Sequence, residues 1–193
     1  RWLLAMVAQA MRSNRDYGNS MVPLLIGPQA MKKSTFCKSI LPPALREYYM
    51  DDIKMDNSEQ VERTMGRMWL VNIDEYDSKT PREQAKIKRL LTEKDIQMRR
   101  LRSDQYVMTP RLCSFIATTN DSHPLTDTTG SRRYLCVEVT GQADLSTPVD
   151  YRQMYAQAVY EITHGERYWF DQQDEQEITA HNDNFLMLST LEE

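Results

Sequence analysis

The chain has 193 residues, a length that suits one domain with a sizeable hydrophobic core. Its net charge of −4 argues against a protein that coats nucleic acid with its whole surface, and no apolar run approaches the length of a membrane span. The 3 cysteines are unpatterned and the 3 histidines lie near no acidic or cysteine cluster, which indicates buried thiols of a reducing compartment rather than a metal centre. We expect a soluble, cytoplasmic domain, and the start at Arg1 leads us to expect a piece of a longer protein.

The first part of the chain predicts two helices on either side of a strand. Residues 2–11 are apolar and lack glycine and proline, which is typical of a helix, whereas the turn-forming residues 13–20 predict a loop. The apolar run 22–26 has the length of a strand. A second helix is expected over residues 34–41, where two prolines end it.

The middle of the chain predicts short strands and helices in alternation. We expect a strand within 48–53, a helix over 58–65 that ends at Gly66, and a strong strand over 68–73. Thr80, Pro81 and Glu83 form the signature of a helix start with a capping box, and that helix should run to about residue 91. Residues 96–98 and 106–108 form either a hairpin or an irregular loop.

The last part predicts two strands and two helices. The strands are expected over 112–118 and 134–139, and the helices over 151–163 and 174–188. Strands separated by helix-bearing connections predict an α/β fold, with a mostly parallel sheet covered on both faces.

The segment between the first strand and the second helix resembles a phosphate-binding loop. In the pattern G-x-x-x-x-G-K-[ST], Gly27, Lys33 and Ser34 occupy the first, seventh and eighth positions. The sixth position is Lys32 instead of glycine, and a lysine forced to positive φ costs on the order of 1 kcal/mol. The alternative is a strand and a lysine-rich helix start of an ordinary α/β protein. The residues predicted to bind nucleotide are Gly27, Pro28, Gln29, Ala30, Met31, Lys32, Lys33, Ser34 and Thr35.

Polar residues follow the other predicted strands or precede them. Asp74 and Glu75 suit a carboxylate that holds Mg²⁺ together with Ser34 and a neighbour that orients or deprotonates an attacking water. Asn120 suits a sensor of the γ-phosphate. Arg132 and Arg133 offer cations for charge on a transferring phosphoryl group. Each feature alone is also typical of a turn or a surface pair, but their joint occurrence favours one nucleotide site.

Charge is distributed unevenly along the chain. Residues 86–111 contain eight basic and three acidic residues, a local charge of +5, whereas the segment from residue 161 to the end carries −8. The basic segment indicates a local polyanion site, in which we expect Arg99, Arg100 and Arg102 to contact DNA phosphates. The alternative is a solvated helix face with a basic surface loop.

Four segments together resemble the virulence-associated E family of P-loop ATPases of phages and mobile elements: GPQAMKKST, WLVNIDEYD, SFIATTN and NDSHPLTDTTGSRRYLCVEV. This family is related to superfamily 3 helicases and to viral and plasmid primase-helicases. The most specific part is a signature of seven residues: Asn120, Pro124, Leu125, Asp127, Gly130, Arg132 and Arg133.

The resemblance implies a P-loop NTPase fold of the AAA+ or superfamily 3 helicase type, a three-layer sandwich with sheet order 5-1-4-3-2. The resemblance covers about residues 21–139, and we expect the chain to comprise an N-terminal helix and loop (1–20), an ATPase core (21–145) and a C-terminal helical segment packed on the core (146–193). It also implies that Lys33 and Ser34 are first-motif residues, Asp74 and Glu75 second-motif acids and Asn120 the sensor. Arg132 or Arg133 would then be the arginine finger.

The function implied is an ATP- and Mg²⁺-dependent helicase or DNA-remodelling motor of a mobile-element replication protein. The implied partners are single-stranded DNA, further copies in a homo-oligomeric ring, and a primase domain in the same polypeptide. Ala30 and Lys32 depart from the family, in which both positions are commonly glycine, and they keep a nucleotide-binding or scaffold module without robust hydrolysis as an alternative. A small-molecule P-loop kinase is a further alternative, disfavoured by the paired acids and paired arginines.

Overall fold

A computed structural model of the chain describes residues 1–14, 17–99, 104–126 and 128–187, so that Arg100, Arg102 and Asp127 lie outside the described residues. The described residues form seven α-helices and seven strands. The helices are α1 (Trp2–Met11), α2 (Lys33–Ser39), α3 (Ser58–Arg67), α4 (Pro81–Thr92), α5 (Thr128–Ser131), α6 (Tyr151–Thr163) and α7 (Gln172–Asn182). The strands are β1 (Val22–Ile26), β2 (Tyr49–Asp51), β3 (Leu70–Ile73), β4 (Asp95–Arg99), β5 (Tyr106–Pro110), β6 (Ser114–Thr119) and β7 (Tyr134–Glu138). Short 3₁₀ helices span Pro43–Tyr48, Tyr76–Ser78 and Asp183–Phe185.

Five strands form one parallel sheet in the order β2-β3-β6-β1-β7. Strand β1, which lies between β6 and β7, contains Pro23, which has no N–H to donate to a neighbour. The pairing with β6 begins one residue later, with Leu24 opposite Ala117, whereas the pairing with β7 begins at Val22. The carboxyl ends of β1 and β6 therefore finish side by side. The expected α/β fold with a parallel central sheet is confirmed.

Alternate residues of the strands enter two separate cores, one on each face of the sheet. On one face, Leu24, Val71 and Phe115 pack with apolar residues of α3 and α4. On the other face, Leu25 and Ile116 pack with residues of α1 and α2. Because both faces of a parallel sheet are buried, its strands are apolar throughout instead of alternating. Helices therefore flank the sheet on both sides.

The hairpin formed by β4 and β5 packs beside α3 and explains one difference from the sequence prediction. Gly66 was expected to end its helix, but α3 continues through it to Arg67. A Cβ atom at Gly66 would lie 2.9 Å from the Met98 sulfur and 3.0 Å from Ile96 Cδ1. The glycine therefore permits close packing between α3 and the hairpin, and the prediction that it ends the helix is wrong.

Two further elements differ from expectation near the end of the chain. The loop before β7 contains the short helix α5, and α7 ends at Asn182 instead of continuing towards residue 188. After α7, Leu186 forms a β-bridge with Leu125, which draws the chain back onto the core. The capping box at Thr80 and Glu83 is confirmed at the start of α4. None of the described helices is long and apolar enough to cross a membrane.

Candidate nucleotide site

The loop between β1 and α2 starts where Gly27 packs closely against the backbone of Val139, and two of its residues have a left-handed conformation. A Cβ atom at Gly27 would lie 2.8 Å from the Val139 carbonyl oxygen, so this position requires glycine. Ala30 has φ 67° and Lys32 has φ 58°, in the left-handed region that L-residues rarely adopt. The expected positive φ at Lys32 is confirmed. Successive turns of this kind direct backbone N–H groups into a concavity that binds anions.

Lys33 is the buried cation of this loop, with 8% of its surface exposed. Its Nζ donates to the Gly27 carbonyl at 2.6 Å, the Pro28 carbonyl at 2.8 Å and Asn120 Oδ1 at 2.9 Å. Burial lowers the pKa of the Lys33 ammonium, and the nearby carboxylate of Asp74 opposes that shift. The loop therefore holds a charged group whose three protein partners are all neutral oxygens.

Asp74 follows β3 and meets the first helical turn after the loop. Its Oδ1 accepts a hydrogen bond from Ser34 Oγ at 3.0 Å and another from Thr118 Oγ1. The Asn72 side-chain amide lies 3.5 Å from the same oxygen. Because Ser34 and Asp74 are in direct contact, a hydroxyl and a carboxylate are presented together at the mouth of the loop.

Glu75 is exposed and occupies the left-handed region, with φ 47°. Its carbonyl accepts hydrogen bonds from the backbone N–H and the hydroxyl of Ser78, which fixes the turn. The next acidic residue, Asp77, accepts a hydrogen bond from Thr119 Oγ1 at 2.5 Å. Strained backbone of this kind is often found at functional sites. The acidic turn after β3 is thus tied to the end of β6.

These residues line one cleft of about 380 Å³ at the carboxyl end of the sheet. It brings together seven consecutive residues of the predicted nucleotide loop, 29–35, with Asp74, Glu75 and Asn120. Gly27 and Pro28 contribute through their carbonyls, which bind Lys33. Among the described residues, no group of three or more histidine, cysteine or acidic side chains could hold a metal ion.

Arg132 and Arg133 lie away from this cleft. They precede Tyr134, which is opposite Val22 at the start of β1, whereas the loop follows Ile26 at its end. The register separates the two ends by about 13 Å along the strand, since each residue adds about 3.3 Å. Arg132 pairs with Glu175 of α7 at 3.2 Å, and its side chain is half-exposed. The structure therefore does not bring the arginines to the cleft of their own chain.

The basic segment is only partly available to a polyanion. Arg111 is 2% exposed and donates to the carbonyls of Leu90 and Leu91 at the end of α4. Lys86 donates to the Met55 carbonyl at 2.5 Å. Arg99 lies on the hairpin and is paired with Asp104 at 2.6 Å. Arg100 and Arg102, the other two predicted DNA contacts, lie outside the described residues.

Thr118 and Thr119 were not predicted as site residues, although their hydroxyls donate hydrogen bonds to Asp74 and Asp77. The available signal was a pair of threonines between an apolar strand and Asn120, but threonine is also common in strands. The segment after β7, where the Ala143 N–H donates to the Met31 carbonyl at 3.2 Å, was also not predicted as part of the site.

Comparison with known proteins gives one family match and several structural neighbours. A family model described as the virulence-associated protein E-like domain matches residues 1–187. No curated protein matches the sequence. Structures of the NrS-1 C-terminal region, including its A form apo structure, are 15–16% identical to the chain, with TM-scores of 0.48–0.49. The aligned part covers 94% of this chain and 38–39% of the NrS-1 chains, so this chain spans less than half of their length.

Proposed function

This chain belongs to the family of virulence-associated protein E-like domains, and we propose that it is a Mg²⁺-dependent ATPase domain, a helicase or DNA-remodelling motor of a phage or mobile-element replication protein. The observation that carries the proposal is the single cleft in which Lys33, Ser34, Asp74 and Asn120 meet. The sheet gives further support. Numbered along the chain, its five strands run in the order 5-1-4-3-2, which is expected of this type of ATPase.

Lys33 is the residue best placed to bind the β and γ phosphates. Lys33 is buried and, within the described part of the chain, its ammonium donates hydrogen bonds to three neutral oxygens, so a phosphate anion entering the cleft would be a stronger partner. The left-handed turns at Ala30 and Lys32 support the same ligand, because they orient backbone N–H groups as an anion-binding nest does. The loop thus combines a fixed cation with backbone donors.

The residues present fit Mg²⁺ as well. This ion is usually held by one or two carboxylates, by waters and by substrate phosphates, so the Ser34 hydroxyl and the Asp74 carboxylate are a sufficient protein share. When bound, Mg²⁺ would neutralise charge on the β and γ phosphates. Thr118 keeps the Asp74 carboxylate oriented by its hydrogen bond to Oδ1.

Glu75 and Asn120 are proposed to act on the attacking water. Glu75 is exposed and lines the cleft, and its carboxylate can orient the water and accept its proton. Asn120 already contacts Lys33, so its amide lies beside the place where the γ-phosphate would be bound. In this assignment Lys33 contributes mainly to binding, whereas Glu75 contributes mainly to turnover.

Arg132 and Arg133 are proposed to act on the ATP of a neighbouring copy in a ring. Their position at the opposite end of β7 from the cleft supports action between subunits over action within one. An arginine supplied by a neighbour increases turnover by about 10³- to 10⁵-fold in P-loop enzymes. Specific activity should then rise with protein concentration. A mixture of the Arg132→Ala, Arg133→Ala double variant with Glu75→Gln should recover activity that neither has alone.

The proposed nucleic acid partner is single-stranded DNA, bound at the β4–β5 hairpin. Tyr106 on this hairpin is 57% exposed, as suits a base-stacking residue. Arg99 ends β4 of this hairpin, and Arg100 and Arg102 follow it closely in sequence and add positive charge. Replacing the three arginines should flatten the salt dependence of binding, whose slope is about −0.7 per neutralised phosphate on single strands. An unchanged slope would place the DNA elsewhere.

An ATPase assay with and without single-stranded DNA tests the function itself. We expect ATP turnover that DNA stimulates, weaker ATP binding in Lys33→Ala, and retained binding without turnover in Glu75→Gln. Lys32→Ala is the matched control for Lys33→Ala, and a larger effect of Lys32 would mean that the motif is aligned one residue off. ATP binding without any turnover would make the chain a nucleotide-binding module. Turnover that DNA leaves unchanged would favour a small-molecule kinase.

A further inference from the structure

The segment that carries the two arginines is held in place by the last residue of α7. The Asn182 side chain is fully buried, and its Nδ2 donates to the Ser131 carbonyl at 2.8 Å and to the Tyr134 carbonyl at 2.7 Å. These two carbonyls belong to the residues directly before and after the pair Arg132 and Arg133. A single side chain therefore fixes the backbone on both sides of the proposed arginine finger.

The two contacts also determine the orientation of the Asn182 amide. An amide oxygen in the place of Nδ2 would face two carbonyl oxygens, neither of which can donate a hydrogen bond. With Nδ2 in this place, Oδ1 is buried without a hydrogen-bond partner among the described residues. A buried acceptor without a partner destabilises a fold. The asparagine is therefore better explained by the two carbonyls that it holds than by stability.

The chain after α7 holds the other end of the same loop. The Met187 N–H donates to the Leu125 carbonyl at 2.8 Å, and the Leu125 N–H donates to the Phe185 carbonyl at 3.2 Å. Leu125 lies before α5 and Tyr134 begins β7, so these two residues bound the arginine loop, residues 125–134. Residues 182–187 therefore contact the backbone of the arginine loop at both of its ends.

The arginine loop has a fixed backbone, whereas an arginine side chain remains accessible. The Arg133 carbonyl accepts a hydrogen bond from the Val22 N–H at 2.8 Å, which ties the loop to β1 as well. The Arg132 side chain is half-exposed and pairs with Glu175, which lies two turns before Asn182 on α7. A fixed backbone with an accessible side chain is what a group that reaches a neighbouring subunit requires.

We propose that Asn182 is a positioning residue for the arginine finger, which acts through the backbone of residues 131–134 on turnover in a neighbouring copy. The inference rests on the proposed function, because it requires that Arg132 or Arg133 acts between subunits. Misplacement of a group in an active site by about 1 Å can lower the rate about 100-fold. Loss of the two hydrogen bonds should therefore reduce kcat and leave the affinity of the chain's own cleft for ATP unchanged.

Asn182→Ala tests this assignment in the full chain, at high protein concentration and with saturating ATP and Mg²⁺. We expect kcat to fall by about 10- to 100-fold, whereas the Kd for ATP, measured by calorimetry, should change by less than about twofold. Asn184→Ala is the matched control, because Asn184 is exposed and donates to the His181 carbonyl at the end of α7 instead of to the arginine loop. It should leave both quantities unchanged.

Mixing of variants separates positioning of the finger from damage to the cleft. Asn182→Ala retains its own cleft, so a mixture with Glu75→Gln, whose arginines are intact, should recover turnover. A mixture with the Arg132→Ala, Arg133→Ala double variant should not recover it, because neither chain supplies a usable arginine. Recovery with the double variant, or ATP binding that weakens as much as turnover, would mean that Asn182 supports its own cleft and would overturn the inference.

Met187→Pro provides an independent variant if Asn182→Ala does not fold. Met187 is 56% exposed, and proline removes the N–H that holds the Leu125 carbonyl. Met187→Pro should lower kcat in the same direction, whereas Met187→Ala keeps the N–H and should not. Unchanged turnover in either folded variant, Asn182→Ala or Met187→Pro, would overturn the inference and leave the proposed function intact. Full turnover in the arginine double variant would refute the intersubunit finger itself, and the inference with it.

Discussion

The left-handed conformation of Ala30 can be tested with Ala30→Gly, because glycine should raise the free energy of unfolding at this position instead of lowering it. Ala30 is exposed, so Ala30→Gly removes one methyl group and little packing. An L-residue in this region costs about 1–2 kcal/mol, which glycine relieves. In the opposite direction, glycine has more conformational freedom in the unfolded chain, which lowers the stability of the folded state by about 0.4–1 kcal/mol. The net effect should be a stabilisation of about 0.5–1 kcal/mol, or a rise in Tm of about 1–4 °C for a chain of this size.

Ala180→Gly provides the matched control by thermal unfolding. Ala180 is also exposed, but it lies inside α7, where glycine should lower stability by about 1 kcal/mol. The same substitution should therefore raise Tm at one position and lower it at the other. If Ala30→Gly lowered Tm as Ala180→Gly does, Ala30 would have a negative φ and the proposed anion-binding turn would lose its basis.

Three further predictions concern single side chains. Thr118→Val removes the hydroxyl that orients Asp74. A Mg²⁺ titration in the presence of nucleotide should show an affinity for Mg²⁺ that is about tenfold weaker, and Thr118→Ser should restore it. No change would mean that the contact is incidental. Arg111→Met leaves several buried carbonyls without a donor and should lower the free energy of unfolding, measured by urea denaturation, by about 3 kcal/mol. A loss below about 1 kcal/mol would contradict this account of its burial. Glu175→Gln releases Arg132 from its ion pair and should raise turnover at high protein concentration. The increase should be at most about fivefold, since a partly exposed ion pair contributes about 1 kcal/mol or less. Reduced turnover would argue against Arg132 as the arginine finger.

Periodicity and capping residues predicted the elements well, because these signals are local. The bounds of α1 and α6 agree with the apolar pattern, and the capping box at Thr80 forms as expected. Close approach between distant segments has no local signal. Gly66 therefore predicted the end of a helix, whereas in the structure it makes room for the hairpin. Likewise, the charge of Arg111 contributed to a predicted polyanion surface, whereas its side chain is buried.

The candidate site was predictable to the extent that its residues belong to sequence motifs. The loop residues were identified from the spacing of a phosphate-binding motif and Asp74 from its place after a predicted strand, and the structure brings residues 29–35 and Asp74 to one cleft. The hydroxyls of Thr118 and Thr119 were not identified, because a threonine in a strand usually reflects strand preference. Their function depends on the pairing of β3 with β6, which brings the ends of two strands that are distant in sequence together.

The position of β6 between β1 and β3 also has a consequence for the order of folding. The loop, α2 and β3 are made early in the chain, but the partners of Lys33 and Asp74 at the end of β6 come much later. Parallel pairing between distant segments forms slowly, because the entropy of closing a long loop is lost before any stabilising contact forms. During synthesis or refolding, we therefore expect helical structure to appear before any affinity for nucleotide. Stopped-flow refolding in the presence of a fluorescent nucleotide should show binding only in the slowest phase.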